Sequence, residues 1–234
     1  MASESAWYFA YGANMLEEVF VKRRKIQPLR HEVACIKTHT LCFNVMGVPY
    51  ADPAMGGIRL IGDQGDPVYG VAYLLTSADL QRVVLTEGGG IAYTIETLTA
   101  TLQGCGSEIP VVTLVARHDI PRSWERLPSK RYMNLLICGA HEKGLPVDYQ
   151  KKLAAQPVFE QLPGHRFRVG KRIFDSIWQR AAYWIDKAVG RFKKDDGNVP
   201  GWFLWIFDRL LWTMWFHHDY IHSVVWGRGD GLHQ

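Results

Sequence analysis

The sequence lacks any stretch of about 18 uninterrupted apolar residues, so no membrane-spanning helix is expected. Its opening, MASESAWYF, has neither a basic segment nor a long apolar core, and no secretory signal is visible there. Cysteine is scarce. The four cysteines, at 35, 42, 105 and 138, fall in no CxxC or zinc-ribbon spacing. A reduced, cytoplasmic protein is the simplest expectation. An excess of one charge is also missing. The formal net charge of +4 is too weak to argue for nucleic acid, and no nucleic-acid partner is expected.

What is present is an ordinary globular composition. The 234 residues are 47% hydrophobic and 21% charged, enough for one large domain or a domain with an extension. Residues 7–11, 31–46, 57–61, 68–75, 93–102 and 111–116 read as strands. A helix or helical turn is expected at 15–25, and helices from Thr76 or Ser77 to Gly88, from Pro128-Ser129 to "KGLP", and at 147–153. Residues 47–57 read as a Gly/Pro-rich loop and 63–67 as a turn. The first 155 residues thus hold mostly short strands and few helices, with no βαβ alternation. That predicts an α+β domain or a small mixed barrel and argues against a doubly wound sheet.

Three stretches carry the candidate chemistry. In "YFAYGANM" (8–15) an apolar strand stops at Gly12, which permits positive φ and close backbone approach to a ligand. Successive N–H groups of such a turn can form an anion-binding concavity, although on this stretch alone a plain strand-ending turn is the better reading. The others are "GGIRLI…VYGVAYLLTSADLQRVVLTEGG" (57–89) and "PSKRYMNLLICGAHEKGLPVDYQKKL" (128–153). Together, in this order, the three resemble the γ-glutamylcyclotransferase family over residues 7–155. A domain of residues 1–156 is therefore expected, a small mixed β-barrel with a few helices, followed by an extension over 157–234. The long tail is similar to that of extended fungal members, including those of sulfur-containing secondary-metabolite pathways such as gliotoxin's.

The resemblance implies a lyase that closes a γ-glutamyl group into 5-oxoproline and expels the amine fragment. It implies a small γ-glutamyl substrate and neither cofactor nor metal. It assigns Glu87, in "TEGGG", as the general acid/base, and Tyr11, Gly12, Ala13, Asn14 and Met15 as the loop holding the substrate. Tyr132 occupies the helix-start position of the family's site tyrosine, with core packing as the alternative. Ala13 replaces the more usual serine and so loses a hydroxyl contact. The triple glycine after Glu87 also departs from the family pattern, and no Lys-Ser/Thr follows it to make a phosphate loop. Glu142 reads as a turn stabiliser and Glu96 as a surface charge.

Nine tryptophans are present, five of them from Trp202 onward. Residues 157–170 read as a linker. After it, Ile173, Ile177, Ala181, Trp184, Ile185, Ala188 and Phe192 share one half of a helical wheel. From Trp202 to Phe216 a second arc collects Phe203, Ile206, Phe207, Leu210, Leu211 and Met214. Such arcs suit packing on the chain's own domain or on a second subunit as a homodimer. Peripheral membrane contact through 202–226 is the other reading. "HHDYIH" (217–222) places His218 and His222 four apart with Asp219 near, but without a third strong ligand a capping cluster is the better account. "GRGDG" (227–231) reads as a flexible loop.

Overall fold

The computed structural model describes residues 5–62, 65–86, 90–192 and 199–232. Among the described residues seven strands form: β1 (Ser5–Ala10), β2 (Arg30–Ile36), β3 (His39–Val48), β4 (Asp52–Leu60), β5 (Val68–Thr76), β6 (Tyr93–Leu102) and β7 (Glu108–Ala116). Five of them close a barrel in the order β1-β5-β2-β6-β7, sealed by a parallel pairing of Tyr8 with Val112 and Phe9 with Thr113. The expected α+β mixed barrel is thus present. One buried cluster draws on all five barrel strands, through Phe9, Ala34, Ala72, Leu102 and Val111 among others. A second takes the opposite faces of β1 and β5, with Tyr8, Ala10, Val71, Tyr73 and Leu75, and packs them under the helices. Both faces of these two strands are buried, which is why WYFAY and VYGVAYLL are almost continuously apolar. Gly70 belongs to this packing. A Cβ there would lie 2.2 Å from the Ala10 carbonyl oxygen.

The Gly/Pro-rich segment 47–57 departs from expectation. It is mostly strand, because β3 and β4 pair antiparallel from His39↔Leu60 to Val48↔Asp52 and form a separate arm. Its glycines serve close approach within a strand rather than turning. A Cβ on Gly57 would meet Asn44 Oδ1 at 2.0 Å, and one on Gly56 would meet Tyr132 Oη at 3.0 Å.

Helix starts follow their capping chemistry. Before α1 (Ser77–Thr86), Thr76 Oγ1 accepts the Asp79 N–H at 3.2 Å. Before α2 (Lys130–Glu142), Ser129 Oγ accepts the Tyr132 N–H at 3.0 Å. Helix α3 spans Val147–Ala154. The helix or helical turn expected over 15–25 takes the form of a 3₁₀ turn, Ala13–Met15, followed by a wide helical turn over Glu18–Arg23. The expected stop at Gly88 and part of the 63–67 turn lie outside the described residues.

The tail forms α4 (His165–Phe192) and α5 (Gly201–Phe216). The former begins inside the segment read as a linker. Its buried Phe167, and Gly170 pressed against Trp226, hide among Arg166, Arg168 and Lys171, so the local composition looks polar. The expected α4 stripe faces inward only in part: Ile185 and Ala188 pack against Ile91, Val199 and Phe203, while the buried Phe167 and Phe174 lie about 50° round from its centre. Phe167 and Phe174 are buried, whereas Ile173, Ile177 and Trp184 are exposed. On α5 the expected arc does face inward at Phe203 and Met214, and Trp215 joins it, its Nε1 donating to the Gly47 carbonyl at 3.2 Å. No helix among the described residues is long and apolar enough to cross a membrane.

Tyr50, at the tip of the β3–β4 arm, is the point on which the tail docks. It is fully buried between Phe167, Phe174, His218 and His222. The "GRGDG" loop is pinned rather than free. Gly229 accepts the Tyr50 N–H at 2.7 Å, Gly227 accepts the Tyr50 hydroxyl at 2.5 Å, and Asp230 is fully buried.

This docking is expected to be pH-sensitive. Burial holds His217 and His222 below their ordinary value of 6.5. Trp178 Nε1 donates to His217 Nδ1 at 3.0 Å, a bond that protonation of that nitrogen breaks. Burial alone would raise Asp219, but the His218 hydrogen bond and the Arg126 charge hold it below 3.8. All three values are depressed in the folded chain, so their stabilisation is present above the unfolded values and lost as pH falls. Loosening of the tail is therefore expected to begin below pH 6.5 and to deepen below 3.8. Near-UV circular dichroism of the tryptophans measures it, and a signal flat from pH 7 to 4 would contradict it.

Candidate active site

A cavity of about 120 Å³ opens where β1 ends. Its walls are Tyr8, Tyr11, Gly12, Ala13, Asn14, Arg24, Met55, Gly56, Tyr93, Leu114 and Tyr132. The chain reaches it through the geometry of β1. Tyr8 and Tyr11 belong to different buried clusters, and the bend at Gly12 brings both sides of the strand to one hollow. Gly12 has φ −113°, so positive φ is not what the position requires. Space there is tight, since a Cβ would lie 3.3 Å from the Tyr132 hydroxyl.

Hydrogen bonds fix these walls. The Asn14 amide donates to Tyr8 Oη at 3.0 Å, and the Tyr11 hydroxyl donates to the Leu114 carbonyl at 2.5 Å. Tyr73 donates to the Met15 carbonyl at 3.2 Å from below. The Gly56 N–H donates to Tyr132 Oη at 2.9 Å, and the Tyr93 hydroxyl donates to the Gly56 carbonyl at 2.9 Å. Tyr132 in turn is placed by Ser129, whose hydroxyl donates to Asp52 Oδ1 at 2.5 Å. Among the described lining residues only Arg24 carries a formal charge, and its side chain is half-buried.

The structure gathers Tyr11, Gly12, Ala13, Asn14 and Tyr132 at this cavity. Met15 does not line it. Its side chain is fully buried in the core and packs where Gly139 of α2 leaves room. Glu87 lies outside the described residues, with Gly88 and Gly89. Sequence reasoning missed Tyr8, Arg24, Met55, Gly56, Tyr93 and Leu114. Arg24 sat in the run VKRRK, which has the look of a solvated face, and Met55-Gly56 sat in the supposed loop.

Other candidates resolve differently. Glu142 Oε1 accepts the Glu17 N–H at 3.1 Å and tethers the segment after the 3₁₀ turn, while Glu96 is exposed on β6. His218, Asp219 and Asp230 bring ligand atoms within 4.8 Å of one another. His222 instead points Nε2 at the Gly170 carbonyl, 2.9 Å away. The cluster is already engaged. His218 Nδ1 meets Asp219 at 2.8 Å, and its Nε2 accepts the Gly229 N–H at 2.9 Å. Arg126 and Arg228 both pair with the two carboxylates, and two guanidiniums repel a cation. It is a clamp that holds the terminal loop.

Two family models match the sequence, that of the AIG2-like family over residues 67–153 and that of the AclK C-terminal domain over residues 164–225. The chain is 52% identical to the γ-glutamyl cyclotransferase gliK of Claviceps purpurea, across 93% of this chain and all of that one. It is 32% identical to the γ-glutamyl cyclotransferase gliK of Aspergillus fumigatus, over 96% of this chain and 89% of the relative. A solved γ-glutamyl cyclotransferase superposes with a TM-score of 0.57 at 25% identity, covering 69% of this chain and 93% of its own. The barrel, the hollow at the end of β1 and these likenesses agree, and the chain belongs to the γ-glutamyl cyclotransferase family.

Proposed function

We propose that the protein is a cytoplasmic lyase acting on a γ-glutamyl conjugate, derived from glutathione, in secondary metabolism. It releases 5-oxoproline and the amine fragment. Residues 1–156 carry the reaction, and 157–234 form an extension beside it. The observation that carries the reading is the small tyrosine-walled cavity at the Gly12 bend, which has room for one glutamyl headgroup and a single lining cation.

The α-amine nitrogen attacks the γ-carbonyl carbon of the same glutamyl group. One C–N bond forms, a five-membered ring closes, and the original amide C–N bond breaks. The α-ammonium must lose a proton and the leaving nitrogen must gain one, so a single carboxylate can serve both transfers. Glu87 is that group in this reading. Because the attack is intramolecular, holding the headgroup bent supplies much of the rate, which is the work of residues 11–14. Tyr132 faces the γ-carbonyl. A hydroxyl that accepts a backbone N–H, as Tyr132 does from Gly56, becomes a stronger donor toward a developing oxyanion. Arg24 matches the substrate's α-carboxylate.

Incubation with γ-glutamyl amines and glutathione S-conjugates, followed by mass spectrometry for 5-oxoproline, tests the reaction. No 5-oxoproline from any donor with folded protein overturns it. Arg24→Met removes a charge-assisted contact worth about 1.5–3 kcal/mol, so KM should rise about 10- to 100-fold with kcat less affected. An unchanged KM in steady-state kinetics would remove Arg24 from substrate binding.

A further inference from the structure

A second cavity, of about 620 Å³, lies beside the first. Val45, Met46 and Met55 of the β3–β4 arm form one wall, and the tail forms the other with Trp178, Ala181, Leu211 and Met214. The two cavities share Met55, and their walls also adjoin at Ala92 and Tyr93. The larger one is an open cleft, and fixed contacts brace it at both ends. Trp215 Nε1 bonds Gly47 at one end of the cavity-facing stretch of α5. Arg117 bonds Asp208 at the other, with Nη1 to Oδ2 at 2.9 Å. The walls are mostly side chains without polar atoms, and the Lys171–Asp175 pair among them, 2.8 Å apart, neutralises its own charge. A pocket of such volume and lining suits a ring-bearing, uncharged ligand of drug-like size.

We infer that this cavity holds a bulky apolar substituent on the leaving fragment of the γ-glutamyl donor, borne on the cysteinyl sulfur. This placement rests on the reaction proposed above. With the glutamyl headgroup in the small cavity, the amide nitrogen points outward and the remainder of the donor passes Met55. The tail is thus a specificity element, selecting donors by what they carry beyond the scissile amide.

Isothermal titration of the full chain with two amine fragments tests the assignment separately from turnover. S-(1-naphthylmethyl)cysteinylglycine should bind at least 10-fold more tightly than S-methylcysteinylglycine. Ala181→Trp, which fills the cavity, should abolish that preference. Ala182→Phe, at an exposed lining position and so easier to fold, should cut it at least several-fold. Equal binding of the two fragments by the unaltered chain, or a preference that survives both filled variants, would overturn the assignment. If the preference holds and is lost on filling, yet no γ-glutamyl donor yields 5-oxoproline, the reaction reading fails while the cavity keeps its apolar ligand.

Discussion

Glu87→Gln is expected to lower the rate of 5-oxoproline release by about 10²- to 10⁴-fold with little change in KM, the usual cost of losing a general acid/base. This prediction rests on the reaction proposed above, which needs a carboxylate. The small cavity's described lining offers tyrosine hydroxyls, one asparagine and one arginine, but neither a carboxylate nor an imidazole. None of these is suited to accept a proton from an ammonium near neutral pH. The segment joining α1, which ends at Thr86, to Gly90 supplies one acidic residue, Glu87. Tyr93, three residues past Gly90, already lines the cavity. Gln keeps the size and hydrogen-bonding shape of Glu and removes only the titratable oxygen, so binding should persist while proton transfer fails. Single-turnover kinetics monitored by mass spectrometry separates the two. A variant with unaltered turnover would show that another group moves the proton.

The barrel was readable from the chain because its strands are bounded by turn residues and its helices by capping ones. Thr76 and Ser129 mark two helix starts by chemistry confined to three or four residues. The loop of residues 11–14 was readable for the same reason. What the sequence hid depends on contacts between distant segments. Gly56 looks like a turn glycine, but it is a strand residue that makes room for Tyr132, 76 positions away. Arg24 looks like a solvated charge until the wide turn over Glu18–Arg23 swings it to the cavity. Helix α4 shows the limit of periodicity. Two apolar arcs overlap on its wheel, and only the facing Tyr50 decides that Phe174 rather than Ile173 is buried.

Tyr50→Ala should be the most damaging single change outside the small cavity. The residue sits at positive φ (63°) on the tip of the β3–β4 arm, a conformation that non-glycine residues adopt only where surroundings enforce it. Here the surroundings are the tail. Its ring lies between 5.2 and 5.6 Å from four aromatic rings of the tail, those of Phe167, Phe174, His218 and His222. Truncation leaves a void that a clamped cluster cannot refill. It also strands the Gly227 carbonyl that the hydroxyl satisfies. A loss of about 3–5 kcal/mol is expected by analogy with other aromatic-to-alanine core changes. For a chain of this length that corresponds to a Tm lower by roughly 6–20 °C. Tyr50→Phe keeps the ring and forfeits only the hydrogen bond, so it should lose about 1–3 kcal/mol. Since the same tail walls the larger cavity, Tyr50→Ala should also weaken binding of the naphthylmethyl fragment, while Tyr50→Phe should largely preserve it. Differential scanning calorimetry and titration on the two variants decide the matter. A Tm for Tyr50→Ala within 2 °C of the unaltered chain would mean that the tail is anchored elsewhere, and the cavity with it.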